Sequence, residues 1–153
     1  MAVSPKRFPL DRSPAYWINR LARDLAGFLH RSFLAAGFDV TAPQWAVLNR
    51  LWEEEGLHQS DLAARIVRDR HNLARIIWGM EKKGLIRREA DPRDKRLQRV
   101  YLTQAGRDLQ DRLVPLARRA AGQALAGIPA ADLESLQRIY DRVMENLDLE
   151  AQS

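Results

Sequence analysis

The sequence contains no cysteine, which excludes disulfides, thiolate metal sites, a cysteine nucleophile and thiol-based redox sensing. Long apolar runs are missing too. No stretch approaches the roughly 18 residues that span a bilayer, and the basic N-terminus MAVSPKRFPLDRSP has no apolar segment behind it. The chain is therefore expected to be soluble, cytoplasmic and without membrane contact. Histidine is scarce: His30, His58 and His71 fall on three different predicted elements, with no pair at i and i+4, so no metal site is expected. No nucleophile motif, Gly-rich phosphate loop or H-E-x-x-H pattern occurs, so neither catalytic residues nor a cofactor are expected, and the chain does not read as an enzyme.

What is present is the balance of a globular protein: 153 residues, 46% hydrophobic, 29% charged and 7% aromatic, enough for one compact domain. The net charge of +5 is unevenly placed. Residues 1–64 carry 7 basic and 7 acidic side chains, 65–107 carry 13 and 5, and 108–153 carry 5 and 8. The middle segment thus holds all of the positive excess, as expected where polyphosphate is held.

Helix signals dominate the chain. Ser13-Pro14 reads as a capped helix start, and the helix runs to about Gly37 with Ile18, Leu21, Leu25, Phe28, Leu29 and Ser32 or Phe33 at helical spacing. Thr41 and Pro43 open a second helix, from Gln44 to about Glu55, closed by Gly56. A short helix over residues 59–66 follows, then one over 70–83, capped by Asp69 and stopped at Gly84. The pattern then turns to strand at residues 85–88 and 99–102, joined by a charged stretch with Asp91-Pro92 as turn signal, which predicts a hairpin. Thr103 caps a long helix to about Ala126, in which Pro115 predicts a kink or break. A last helix over 131–147 aligns Leu133, Leu136, Ile139 or Tyr140, Val143 and Leu147 on one seam. Its seam and that of the first helix are most simply buried against each other and against a second copy of the chain.

The helix at 70–83 concentrates the chemistry. With Leu73, Ile76, Ile77 and Met80 turned inward, the opposite face carries His71, Arg75, Trp78 and Lys82, flanked by Asn72 and Ala74. Arg and Asn on an outward helix suit the major groove, where arginine pairs with guanine O6 and N7 and asparagine with adenine. The hairpin tip, Asp91 to Arg96, adds Arg93, Lys95 and Arg96, cations suited to a narrow minor groove. Asp94 is out of place beside phosphate unless paired, which predicts that it holds Arg96 or another local arginine.

From Leu62 to Ile86, LAARIVRDRHNLARIIWGMEKKGLI resembles the helix-turn-helix of the multiple antibiotic resistance regulator (MarR) family, and DPRDKRLQRVYLTQAGRDL resembles its wing and the start of its long dimerisation helix. Thr41-Ala-Pro-Gln44 is similar to the family's opening of the second helix, and the likeness covers roughly residues 14–147. The resemblance implies a fold that is mainly α with a small β-hairpin wing. Within a single chain 1–153, a winged helix-turn-helix at 41–103 is flanked by dimerisation helices at 14–37 and 104–149. It also implies a homodimer on a pseudopalindromic duplex operator and a ligand-responsive repressor. The DNA contacts expected are Arg70, His71, Asn72, Arg75, Trp78, Arg93, Lys95 and Arg96, with Asp94 as support. Regulators of this kind often bind a small aromatic or lipophilic acid, and Trp17, Arg20 and Trp45 lie in the segments that would line its crevice. The sequence departs from the family pattern in Ala74 for threonine, Trp78 for aspartate, Val67 for glycine and His58 for a threonine cap. The alternative is a winged-helix module using its basic face for RNA or a protein partner, but RNA readers present aromatic platforms and Trp78 is the one tryptophan on the exposed recognition face.

Overall fold

The computed structural model describes residues 8–66 and 70–150, with backbone alone at 70, 71, 149 and 150. The expected cap Asp69 and the turn residue Val67 lie outside the described residues. Two compact units are present, one up to Ala121 and one from Gly122.

After a short 3-10 turn, Leu10–Arg12, helix α1 spans Pro14–Ala35. Pro14 opens it as expected, but the Ser13 side chain makes no capping hydrogen bond; the pre-set proline φ alone favours the start. The helix stops short of Gly37, whose φ of 88° only glycine adopts readily. Helix α2, Ala42–Glu53, begins earlier than its expected start at Gln44. Gln44 is instead the third helical residue of a capping box: its N–H donates to Thr41 Oγ1 and its Oε1 accepts from the Thr41 N–H.

Strand β1, Leu57–His58, leads into α3, Gln59–Ile66, and α4, Arg70–Lys82. Strands β2, Ile86–Ala90, and β3, Gln98–Leu102, form the expected hairpin. The sheet, however, has three antiparallel strands in the order β1-β3-β2, with Leu57 opposite Val100 and Ile86 opposite Leu102. The core of this unit gathers Phe33, Leu48, Leu51, Leu62, Leu73, Ile77, Met80, Ile86, Val100 and Leu102, all at most 2% exposed. Each such side chain contributes about 2 kcal/mol through burial.

The long helix expected after Thr103 is broken at a different place. Helix α5, Gln104–Asp108, ends at Leu109, and α6, Gln110–Ala124, runs through Pro115. The proline frees only the carbonyl of exposed Asp111, which water can satisfy. At the actual break, Trp52 Nε1 donates to the Gly106 carbonyl at 3.0 Å, the acceptor that would otherwise close the turn to Gln110. Gly106 itself is obligatory, since a Cβ there would lie 2.1 Å from the Leu85 carbonyl oxygen. In the second unit, α7 spans Ala130–Glu150 and leaves Leu136, Ile139, Tyr140, Val143 and Leu147 exposed. Among the described residues no helix is long and apolar enough to cross a membrane.

Candidate nucleic-acid interface

Helix α4 is oriented as its periodicity requires. Leu73, Ile77 and Met80 are fully buried and Ile76 is partly so, which turns Ala74, Arg75, Trp78 and Lys82 outward. Arg75 Nη2 donates to Asn72 Oδ1 at 3.1 Å, limiting the swing of the guanidinium. Lys82 Nζ lies 3.9 Å from the centroid of the Trp78 ring, a cation–π contact. The backbone of Arg70 and His71 forms the first turn of α4, and their side chains lie outside the described residues.

An ion pair braces α4 against the hairpin. Arg88 on β2 donates through Nε and Nη2 to Glu81 Oε2, at 3.1 and 2.7 Å. Hydrogen bonding to Arg88 holds the Glu81 carboxyl below its ordinary range. At the far end of α4, Lys83 Nζ donates to the carbonyl and Oδ2 of Asp39, at 2.6 and 2.9 Å, tying the helix to the corner between α1 and α2.

The hairpin tip is organised by two carboxylates. Asp94 takes Arg96 Nε and Nη2 at 3.0 Å each and also accepts from the Arg96 N–H. These bonds lower the Asp94 pKa and raise that of Arg96. Arg93, Lys95 and Arg96 are exposed around them. The second carboxylate, Asp91, was legible only as part of a turn signal. It is 3% exposed. Its Oδ1 accepts from the N–H of Arg93 and Asp94, at 2.7 and 3.3 Å, and its Oδ2 contacts Arg99 Nε and His58 Nε2, both at 2.6 Å. An ionised carboxylate only accepts, so His58 donates. Its hydrogen bond, foremost, and those of the Arg93 N–H and Arg99 hold the Asp91 carboxyl far below its usual range. Arg99 Nη1 also donates to the Gly56 carbonyl at 2.9 Å. His58, which the sequence marked as a departure at a cap position, thus locks the wing to the start of α3.

The three residues expected to line an effector crevice are not brought together by one chain. Trp17 and Arg20 lie on the exposed N-terminal half of α1, whereas Trp45 is half-buried against the tilted ring of Phe33 and, edge to face, the ring of Trp52, at 5.4 and 5.6 Å between ring centroids. Phe33 sits 16 residues beyond Trp17 on the same helix, about 24 Å along its axis. Trp45 packs against the core from its partly buried position.

The profile of the MarR family matches residues 40–97, the span that holds α2, α3, α4 and the wing tip. The transcriptional regulator HosA of Escherichia coli O111:H- is 30% identical over 106 residues, which cover 69% of this chain and 78% of HosA. The chain belongs to the MarR family. Solved structures agree with this placement. The PcaV transcriptional regulator of Streptomyces coelicolor, solved in complex with its natural ligand, is 27% identical with a TM-score of 0.78, covering 95% of this chain and 98% of PcaV. A probable transcriptional regulator from Pseudomonas aeruginosa is 29% identical with a TM-score of 0.77, covering 88% and 98%. Members of the MarR family are transcription regulators and not enzymes. The arrangement is accordingly a DNA-binding winged helix-turn-helix, with α3 and α4 as the helix pair and β2 to β3 as the wing.

Proposed function

We propose that this MarR-family chain is a cytoplasmic, non-enzymatic repressor that binds a pseudopalindromic duplex operator as a homodimer and releases it in response to a small ligand. The observation that carries the reading is that two elements with exposed cations are joined by an ion pair. Helix α4 turns Arg75 and Lys82 away from the core, and the wing, braced to it through Arg88 and Glu81, exposes Arg93, Lys95 and Arg96. In this reading the Arg70, His71, Asn72, Arg75 and Trp78 face enters the major groove and the wing cations enter the adjacent minor groove, with Asp94 holding Arg96.

Dimerisation is supported by apolar surface that a single chain leaves uncovered. On α1, Trp17, Ile18, Leu21 and Leu25 are 40–50% exposed, and on α7 the seam from Leu136 to Leu147 is 46–57% exposed. Stripes of this length mark an interface between copies. The ligand reading takes support from PcaV, whose structure contains its natural ligand. We assign a small aromatic or lipophilic acid, with Trp17 and Arg20 as the contacts on α1. Repression requires only that the bound dimer overlap a promoter.

A gel shift with the intergenic DNA upstream of the coding sequence tests the reading. The expected result is a discrete complex that random duplex, single strands and RNA compete away poorly. Equal competition by RNA would replace duplex DNA with RNA as the partner, and a promoter reporter activated by the protein would overturn repression.

A further inference from the structure

We propose that Trp78 is a specificity-determining residue that reads the 5-methyl group of one thymine in each half-site. The inference rests on the duplex-binding reading above. Trp78 is 52% exposed on the face of α4 that also carries Arg75 and Lys82, while Leu73, Ile77 and Met80 fill the core from the other side. The core therefore makes little use of this indole. Its position is nevertheless defined, because Lys82 Nζ sits 3.9 Å from the ring centroid and covers one face. The apolar edge and the opposite face remain available.

Ala74, one helical turn earlier and also exposed, extends that apolar surface toward the start of the helix. Donors and acceptors line the major groove at every base pair, but the only apolar group that any base displays there is the thymine methyl. An Ala74 and Trp78 strip between two cations therefore has one complementary partner on the groove floor. Three residues separate Trp78 from Arg75, about 4.5 Å along the helix, against a base-pair rise of about 3.4 Å. The thymine is thus placed one or two base pairs from the guanine that Arg75 contacts.

The probe is a duplex selected from a random pool by the full chain, with each thymine replaced singly by deoxyuridine. Removing the methyl of the assigned thymine should weaken wild-type binding about fourfold. Trp78→Ala should bind the thymine and uracil duplexes equally, with unchanged thermal melting, and Trp78→Phe should restore part of the difference. Wild-type protein indifferent to every thymine methyl would overturn the proposal. So would a Trp78→Ala variant that keeps the difference, or one that loses affinity uniformly on all duplexes, which would assign the ring to the sugar-phosphate backbone. Failure of the wild type to select any duplex would overturn the duplex reading itself.

Discussion

Arg75 and Arg96 are both exposed arginines of the interface, yet they are held in different ways. Arg75 donates to Asn72 through Nη2, and in the proposed complex its other donors meet a base edge. Arg75→Ala should leave folding nearly unchanged and cost about 1 to 3 kcal/mol in duplex affinity, concentrated at one base position per half-site; a binding assay against single-base operator variants checks this. Arg96 is instead gripped by both oxygens of Asp94. Asp94→Ala removes a negative charge near phosphate, so charge counting predicts tighter binding. The geometry predicts weaker binding, because the freed guanidinium has to be ordered when it enters the groove. Equal or improved affinity in a titration at fixed salt would refute the supporting role. This pair was legible in the sequence because a lone carboxylate among Arg93, Lys95 and Arg96 needs a local explanation. The surroundings of Trp45 were not legible, because helical spacing alone does not tell the wall of a crevice from a place between the Phe33 and Trp52 rings.

At the scale of the element, the wing depends on a residue that sequence reading reduced to a turn. Asp-Pro signals a reversal of the chain, but what makes Asp91 an anchor is tertiary: His58 comes from before α3, and Arg99 on β3 is itself held by the Gly56 carbonyl. Strand β1 escaped notice for a related reason, since two residues carry no periodicity. The helix break fell at Leu109 and not at Pro115 because a tertiary hydrogen bond from Trp52 decides it. In contrast, the helix opening at Thr41 and Pro43, the buried face of α4 and the hairpin follow from local rules and were readable. The Asp91 anchor gives a pH prediction with a definite sign. Its carboxyl pKa is lower in the folded state than the unfolded value near 4. The stabilisation is therefore fully present above the unfolded value and is lost as pH falls toward the folded one. Asp91→Asn cannot accept from Arg99 and His58 as a carboxylate does, so it should lower the melting temperature at pH 7. It should also flatten the decline in stability between about pH 5 and 3, as thermal melts across that range would show. A variant whose stability falls in parallel with the wild type would remove Asp91 as the source.

At the scale of the whole molecule, the proposed dimer links the positive excess to the uncovered apolar stripes. Ion pairs already engage Arg88, Arg96, Arg99 and Arg107 with Glu81, Asp94, Asp91 and Glu55, so the 13 basic residues of segment 65–107 greatly overstate the number of phosphates each copy can neutralise. Among the described residues of the segment, Lys82 at the end of α4 and Arg93 and Lys95 on the wing are exposed, and in the proposed complex these three lie beside the phosphates that border the grooves. A dimer then neutralises roughly six phosphates, and the logarithm of the binding constant should fall with the logarithm of salt concentration with a slope of about −5. Val143 lies midway along the exposed seam of α7, where an aspartate would place a charge in the proposed dimer interface. Val143→Asp should therefore convert a dimeric sedimentation mass to that of a 17.5 kDa monomer while leaving the winged helix folded. Each monomer then engages one half-site, and the salt slope should fall to about −3. A wild-type mass of one chain at micromolar concentration would contradict the assembly. An unchanged slope in a monomeric variant would show that the phosphate contacts do not come from two copies of the wing and α4.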